Sequence, residues 1–180
     1  MHNVEPGDDY DYLIVAAPGH VWLSRLLIVM LIVKPAARCG DVVCPNYILS
    51  EDTLTLRERD LFHAHELAQM VPLDGYSVYE RLRHSNSWAD DFLPNAGGPP
   101  LTMPLPAGSC RPGRRILESV LRIAAGAWLE RHEMDRLRRT INPTDGCQEV
   151  ELSPGRCKGH TDAHGQGTFE AFAARLRGRE

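Results

Sequence analysis

Asp8-Asp9-Tyr10-Asp11-Tyr12-Leu13-Ile14-Val15 runs through Ala16-Ala17-Pro18-Gly19 into a long apolar stretch. This reads as a short strand that carries carboxylates at its start, a Pro-Gly turn, and then a buried helix. In an extended chain alternate side chains share a face, so Asp9 and Asp11 point the same way. Two such acids repel each other, and a divalent cation relieves the repulsion. Mg²⁺ suits the pair because it keeps several waters and takes one or two carboxylates together with substrate phosphates.

Outward from the acidic strand, the elements follow from pattern and punctuation. The strand covers 10–16 and is apolar on both faces after Asp11, as a central strand of a covered sheet would be. The helix runs from about 20 to 37. Its Leu, Ile, Val and Met residues cover nearly the whole circumference, which predicts burial on several sides. Arg25 falls near its first turn, where it can pair with Asp9 or Asp11 or help hold an anion beside them. Pro35 and Gly40 close the helix. A second strand follows at 42–49, and its internal Pro45 calls for an edge position or a bulge.

Helices are expected over 57–71, with Leu61, Ala64, Leu67, Ala68 and Val71 inward, and over 77–88, with Val78, Leu82 and Trp88 inward. Residues 94–112 hold six prolines, which marks a linker or extended loop. A long helix over 114–139 offers Ile116, Val120, Ile123, Ala127 and Trp128 as its apolar stripe. A short strand over 149–152 is broken by Ser153-Pro154-Gly155, the stretch 159–167 is small and polar, and 169–176 closes the chain as a helix. The division along the chain is thus 1–93, a loop over 94–113, and a helical part over 114–180.

Asp9-Tyr10-Asp11-Tyr12 followed by Leu-Ile-Val resembles the acid-hydrophobic-acid-hydrophobic strand of the nucleotidyltransferase-like (DNA polymerase β) superfamily. Cys44-Pro45-Asn46-Tyr47, Ala64 through Leu73 and Phe92-Leu93-Pro94-Asn95 look like a bacterial branch of that group. The resemblance implies an α/β (α+β) fold, a small nucleotidyltransferase-like mixed sheet flanked by helices, with a helical C-terminal part. It also implies Mg²⁺-dependent transfer of a nucleoside monophosphate from a nucleoside triphosphate, ATP first among them, to a hydroxyl on a small molecule or protein. Asp9 and Asp11 would be the catalytic and metal-binding pair. Family members place a Gly-Ser pair at a helix start roughly ten residues before the first Asp, where it grips phosphate. Eight residues precede Asp9 here and none is Ser, so either the start lies upstream or that grip is missing. A third acid comes from a neighbouring strand in the family, and Asp41 and Glu151 both have a suitable local pattern.

Cys157-Lys158-Gly159-His160 is the other cluster. Lys158, one of two lysines among twenty cations, and His160 would suit contact with a triphosphate, alongside Arg25. Cys157, His160 and His164, with Cys147, are instead ligands of the type Zn²⁺ takes. His63 and His65 lie two apart on a helix, point in nearly opposite directions and cannot chelate together.

A net charge of −4 gives no electrostatic reason to expect a nucleic-acid partner. The charge is uneven, because 111–139 carry eight Arg against four acids, which reads as a solvated helix face. Leu26 to Val33 is eight apolar residues, against the ~20 that a membrane span needs. Five cysteines without a CxxC pair and no signal-peptide pattern point to reduced thiols in the cytoplasm. Two other readings accompany the transferase: a binding or scaffold protein that kept the fold without catalysis, and a zinc-binding module. An incompletely covered apolar run at 26–33 would also offer a seat for a partner.

Overall fold

The computed structural model describes residues 10–96, 124–140 and 150–159. The fold is mixed α/β, built on a four-stranded sheet. The strands β1 (Tyr10–Ala16), β2 (Val43–Ser50), β3 (Val150–Ser153) and β4 (Arg156–Gly159) lie in the order β1-β2-β4-β3. The β1–β2 pair is parallel, while β2–β4 and β3–β4 are antiparallel. Residues 10–53, 124–140 and 150–159 belong to one compact unit, and residues 54–96 to a second.

Between β1 and β2 the chain is helical from Val21 to Cys39. It forms α1 (Val21–Ile28), a π-helical segment (Val29–Val33) and α2 (Lys34–Cys39). Pro35 has no N–H to offer, and its ring crowds the carbonyl four residues back, so the wider winding just before it takes up the misfit. Gly40, at φ +89°, ends the helix: its N–H donates to Ala37 O and that of Asp41 to Ala36 O. This is the Schellman arrangement, for which glycine carries no Cβ penalty.

The expected burial of this helix on several sides is corrected. Val21, Trp22 and Leu23 are buried, but Met30, Leu31 and Ile32 are 50%, 69% and 51% exposed. Helix α6 (Ala124–Thr140) covers the α1 end. Because a helix meets a sheet and one neighbour along limited stripes, the rest of its apolar circumference faces solvent.

Two strand assignments also change. Among the described residues β1 is an edge strand rather than a central one, with Leu13 and Val15 only half-buried. β2 is an inner strand, and Pro45 is accommodated by a bulge. Asp11 pairs with Cys44 and Leu13 with Tyr47, so β2 carries one extra residue where Pro45 and Asn46 lie. A residue without an N–H is tolerated where the ladder is already interrupted. Pro154 and Gly155 turn a hairpin from β3 into β4, a strand not expected from the sequence. The small polar stretch expected over 159–167 lies, beyond Gly159, outside the described residues. A Cβ at Gly155 would stand 3.1 Å from Thr53 Oγ1, a tight approach that a side chain could make only by displacing Thr53, while the Gly155 carbonyl accepts from Ser50 N–H and Thr53 Oγ1.

One sheet face packs against α1 and α6. Ile14, Ala16, Ile48, Cys157 and Leu152 meet Val21, Trp22, Met134 and Leu137. The expected α6 stripe is corrected within the described residues, since Trp128 is 63% exposed and stacks on His132. Glu133 and Met134 face inward instead; Ile116, Val120 and Ile123 lie outside the described residues. At the β3 edge, the carbonyls of Leu152 and Ser153 accept from Arg138 Nη2 (2.7 Å) and Trp22 Nε1 (2.9 Å).

In the second unit, α3 (Leu61–Gln69) starts later than the expected 57–71 because Asp60 caps it, accepting from His63 N–H at 2.9 Å. α4 (Tyr76–Ser85) and α5 (Ala89–Phe92) follow. Asn86 is fully buried and fully used. Its side chain accepts from Leu56 N–H and Trp88 Nε1, and donates to Leu54 O and Leu82 O.

Candidate functional site

The face of the sheet opposite α1 and α6 carries its polar groups. Because the extra residue of the bulge lies in β2, β1 alternates regularly and Asp11, Leu13 and Val15 share one face. The register then aligns Leu13, Tyr47, Lys158 and Glu151 in one row across four strands, and Val15, Leu49, Arg156 and Ser153 in the next. Asp11 belongs to this same face, at the exposed start of β1.

The row is tied together by its charges. Tyr47 Oη donates to Glu151 Oε2 at 3.4 Å, and Arg156 Nη1 stands 3.6 Å from the same oxygen. Lys158 Nζ lies 5.9 Å from the Tyr47 ring centroid, a cation–π arrangement. Lys158 is only 5% exposed. Arg156 and Lys158 stand in adjacent rows beside Glu151, and Asp11 lies on the same face at the start of β1.

The expected site residues divide between the two faces. Asp11 and Lys158 share this one. Arg25 does not: it lies on the other side of the sheet, where Nη1 meets Glu133 Oε1 at 3.0 Å, beside Cys157. Its expected pairing with the acidic strand is therefore replaced by a pairing with α6. Asp9, His160, His164 and Cys147 lie outside the described residues.

Of the two candidate third acids, Glu151 shares the face of Asp11 but sits three strands away. At ~4.8 Å per strand that is roughly 14 Å, too far for one Mg²⁺ with bonds of about 2 Å. Asp41 precedes β2 at the margin where Tyr10 N–H donates to Val42 O, and it is the acid that comes next to the start of β1. β2 itself carries no acid. Among the described residues no group of three or more His, Cys, Asp or Glu gathers to hold a metal ion.

Cys157 is a core residue. Burial pushes its thiol up to about 11, against the opposing pull of Arg25, and the residue packs in the core with Val21, Ile48 and Met134. His63 is buried while His65 is exposed, as opposite directions on a helix require. His63 Nδ1 meets Asp60 Oδ1 at 2.8 Å.

Sequence reading missed Glu130 and Glu133. The turn after β1 delivers the N-terminus of α1, and such a terminus is a ready seat for an anion. Here the seat is filled from within. Glu130 accepts from Trp22 N–H at 3.0 Å and Leu23 N–H at 2.6 Å. Burial holds its carboxyl above the ordinary range, against those two donors and His20. Glu133, three residues on, is held below the ordinary range by its hydrogen bonds to Arg136, with Arg25 adding, against burial. Nothing in the sequence marks their meeting with α1, since Trp22, Leu23 and Arg25 are about 110 residues away.

No family model, curated protein or solved structure matches this chain. Among the described residues no helix is long and apolar enough to cross a membrane.

Proposed function

We propose that this chain is a nucleotidyltransferase-like protein. In this reading Asp11, together with Asp9, holds the Mg²⁺ of a nucleoside triphosphate on the sheet face opposite α1 and α6. The reaction is transfer of the nucleoside monophosphate to a hydroxyl acceptor on a small molecule or protein. The observation that carries the reading is that the carboxylate of Asp11 and the cations Lys158 and Arg156 share one sheet face. A magnesium triphosphate offers a cation to the first and phosphate oxygens to the others. Phosphoryl-type chemistry of this kind rests on positioning and electrostatics. The filled seat at α1 supports the same assignment, because Glu130 already takes the N–H groups that would otherwise draw phosphate to the other end of β1. A cytoplasmic location, with its triphosphate pool and reduced thiols, belongs to this proposal.

A second reading keeps the nucleotide and drops the transfer. It is favoured by β2, which brings no acid beside Asp11. Calorimetric titration with ATP and Mg²⁺ tests both. Binding that requires Mg²⁺ and disappears in the Asp9→Asn/Asp11→Asn double variant is expected. Binding that survives the double substitution refutes the placement. Pyrophosphate release with a supplied hydroxyl acceptor separates the transferase from the binding protein.

A further inference from the structure

The second unit holds a pair of buried donors that neither the fold nor the nucleotide reading uses. Tyr79 and Arg83 stand one turn apart on α4, on the same side of the helix. Tyr79 is 7% exposed, and its Oη is buried with no hydrogen-bond partner among the described residues. Arg83 is pinned through Nη2, which meets Asp90 Oδ1 at 3.5 Å and Ala96 O at 3.3 Å. Its Nη1 is buried and, again among the described residues, without an acceptor. Burial raises the Tyr79 phenol, with Arg83 pulling the other way, so at neutral pH the hydroxyl keeps its proton and donates. The ring of Tyr76, one turn earlier and exposed, tilts against Tyr79 at 5.9 Å.

Leaving a buried donor unpaired costs more than a hydrogen bond returns, most of all for a charged group. Here two such donors stand one turn apart on the same side of α4, one of them cationic. The acidic neighbour of Arg83, Asp90, reaches only Nη2, at the long limit of a hydrogen bond, and is itself largely exposed. The complementary group presents paired acceptor oxygens and a negative charge. We propose that Tyr79 Oη and Arg83 Nη1 form a binding site for an oxyanion, the carboxylate or phosphate group of a small ligand. The site stands on α4 alone and does not depend on the nucleotide reading.

The test is an NMR titration of the full chain with sodium phosphate and, separately, sodium acetate, at constant ionic strength with chloride as the control. Saturable shifts of the Arg83 side-chain signals and the α4 amides with phosphate or acetate, but not chloride, are expected. The anion that saturates at the lower concentration identifies the group. Tyr79→Phe keeps the ring and removes one donor, so binding should weaken about tenfold, while the ligand-free protein should melt higher once the hydroxyl is gone. Arg83→Gln removes the charge and should abolish binding, and it decides the matter if Tyr79→Phe does not fold. The proposal is overturned if neither anion gives saturable shifts, if chloride gives the same ones, or if both variants bind like the parent.

Discussion

Glu130 closes the open turn of α1 from a different helix, and replacing it measures what that closure contributes. Its carboxylate receives the N–H groups of Trp22 and Leu23, and both residues are buried. In Glu130→Ala neither donor finds a protein acceptor, and the burial of both residues restricts water. A lost N-cap costs typically ~1 kcal/mol, and hydrogen bonds to a charged acceptor about 1.5–3 kcal/mol each. Part of that is offset because the carboxylate no longer has to be desolvated, so the Ala variant should lose about 2–3 kcal/mol. For a chain of this size the melting temperature should fall by about 4–12 °C.

Glu130→Gln separates acceptor from charge. Because burial raises the folded pKa of Glu130, the folded protein holds this proton more tightly than the unfolded chain. The associated stability is complete below the ordinary glutamate value and is lost as pH rises through the raised one. Gln keeps an acceptor oxygen without that loss, so at neutral pH it should cost less than half of what Ala costs. Urea melts of the three proteins from pH 4 to pH 8, followed by circular dichroism, supply the comparison. An Ala variant within ~0.5 kcal/mol of the parent, the range of an ordinary surface change, would refute the cap. A Gln variant as unstable as Ala would show that the charge, not the acceptor, is what α1 requires.

Glu133 should respond to pH in the opposite sense. Arg136 and Arg25 lower its folded pKa, so its contribution is present above the ordinary glutamate value and disappears as pH falls through the lowered one. Glu133→Ala should cost about 3 kcal/mol at neutral pH, as expected when one partner of a buried ion pair is removed. Urea melts should show that gap closing below about pH 4, and a gap independent of pH would contradict the ion pair. Cys157, with its thiol pushed up to about 11 by burial, should resist alkylation in the native protein at pH 8 while the exposed Cys39 reacts. Mapping of the modified peptides reads this directly, and equal labelling of the two would place Cys157 outside the core.

Some of this molecule is legible along the chain, because the signals involved are local. Pro18-Gly19, the apolar run after it and Gly40 define a strand-turn-helix-stop sequence through backbone geometry alone, and the structure follows it. The short strand expected over 149–152 is found at Val150–Ser153. Pro45 in a strand calls for either an edge or a bulge, and a single strand cannot choose between them. The register of β1 against β2 chose the bulge. The α/β class was implied by the resemblance, and the strands and helices of the described residues agree with it.

Tertiary structure decided what depends on partners far away in sequence. Lys158 and Asp11 share a face only because β4 pairs with β2 and β2 with β1, and Arg156-Cys157-Lys158-Gly159 has none of the β-branched or aromatic residues that announce a strand. Arg25 lies close to the acidic strand in sequence, yet it meets Glu133, about 110 residues away, because α1 turns it to the covered side of the sheet. The apolar circumference of residues 26–33 predicted burial, but burial is set by how many surfaces surround a helix, and that number is not written in the helix itself. Local patterns determine which elements form. Only the packing of those elements determines which side chains meet, and the charges that meet are what a site is made of.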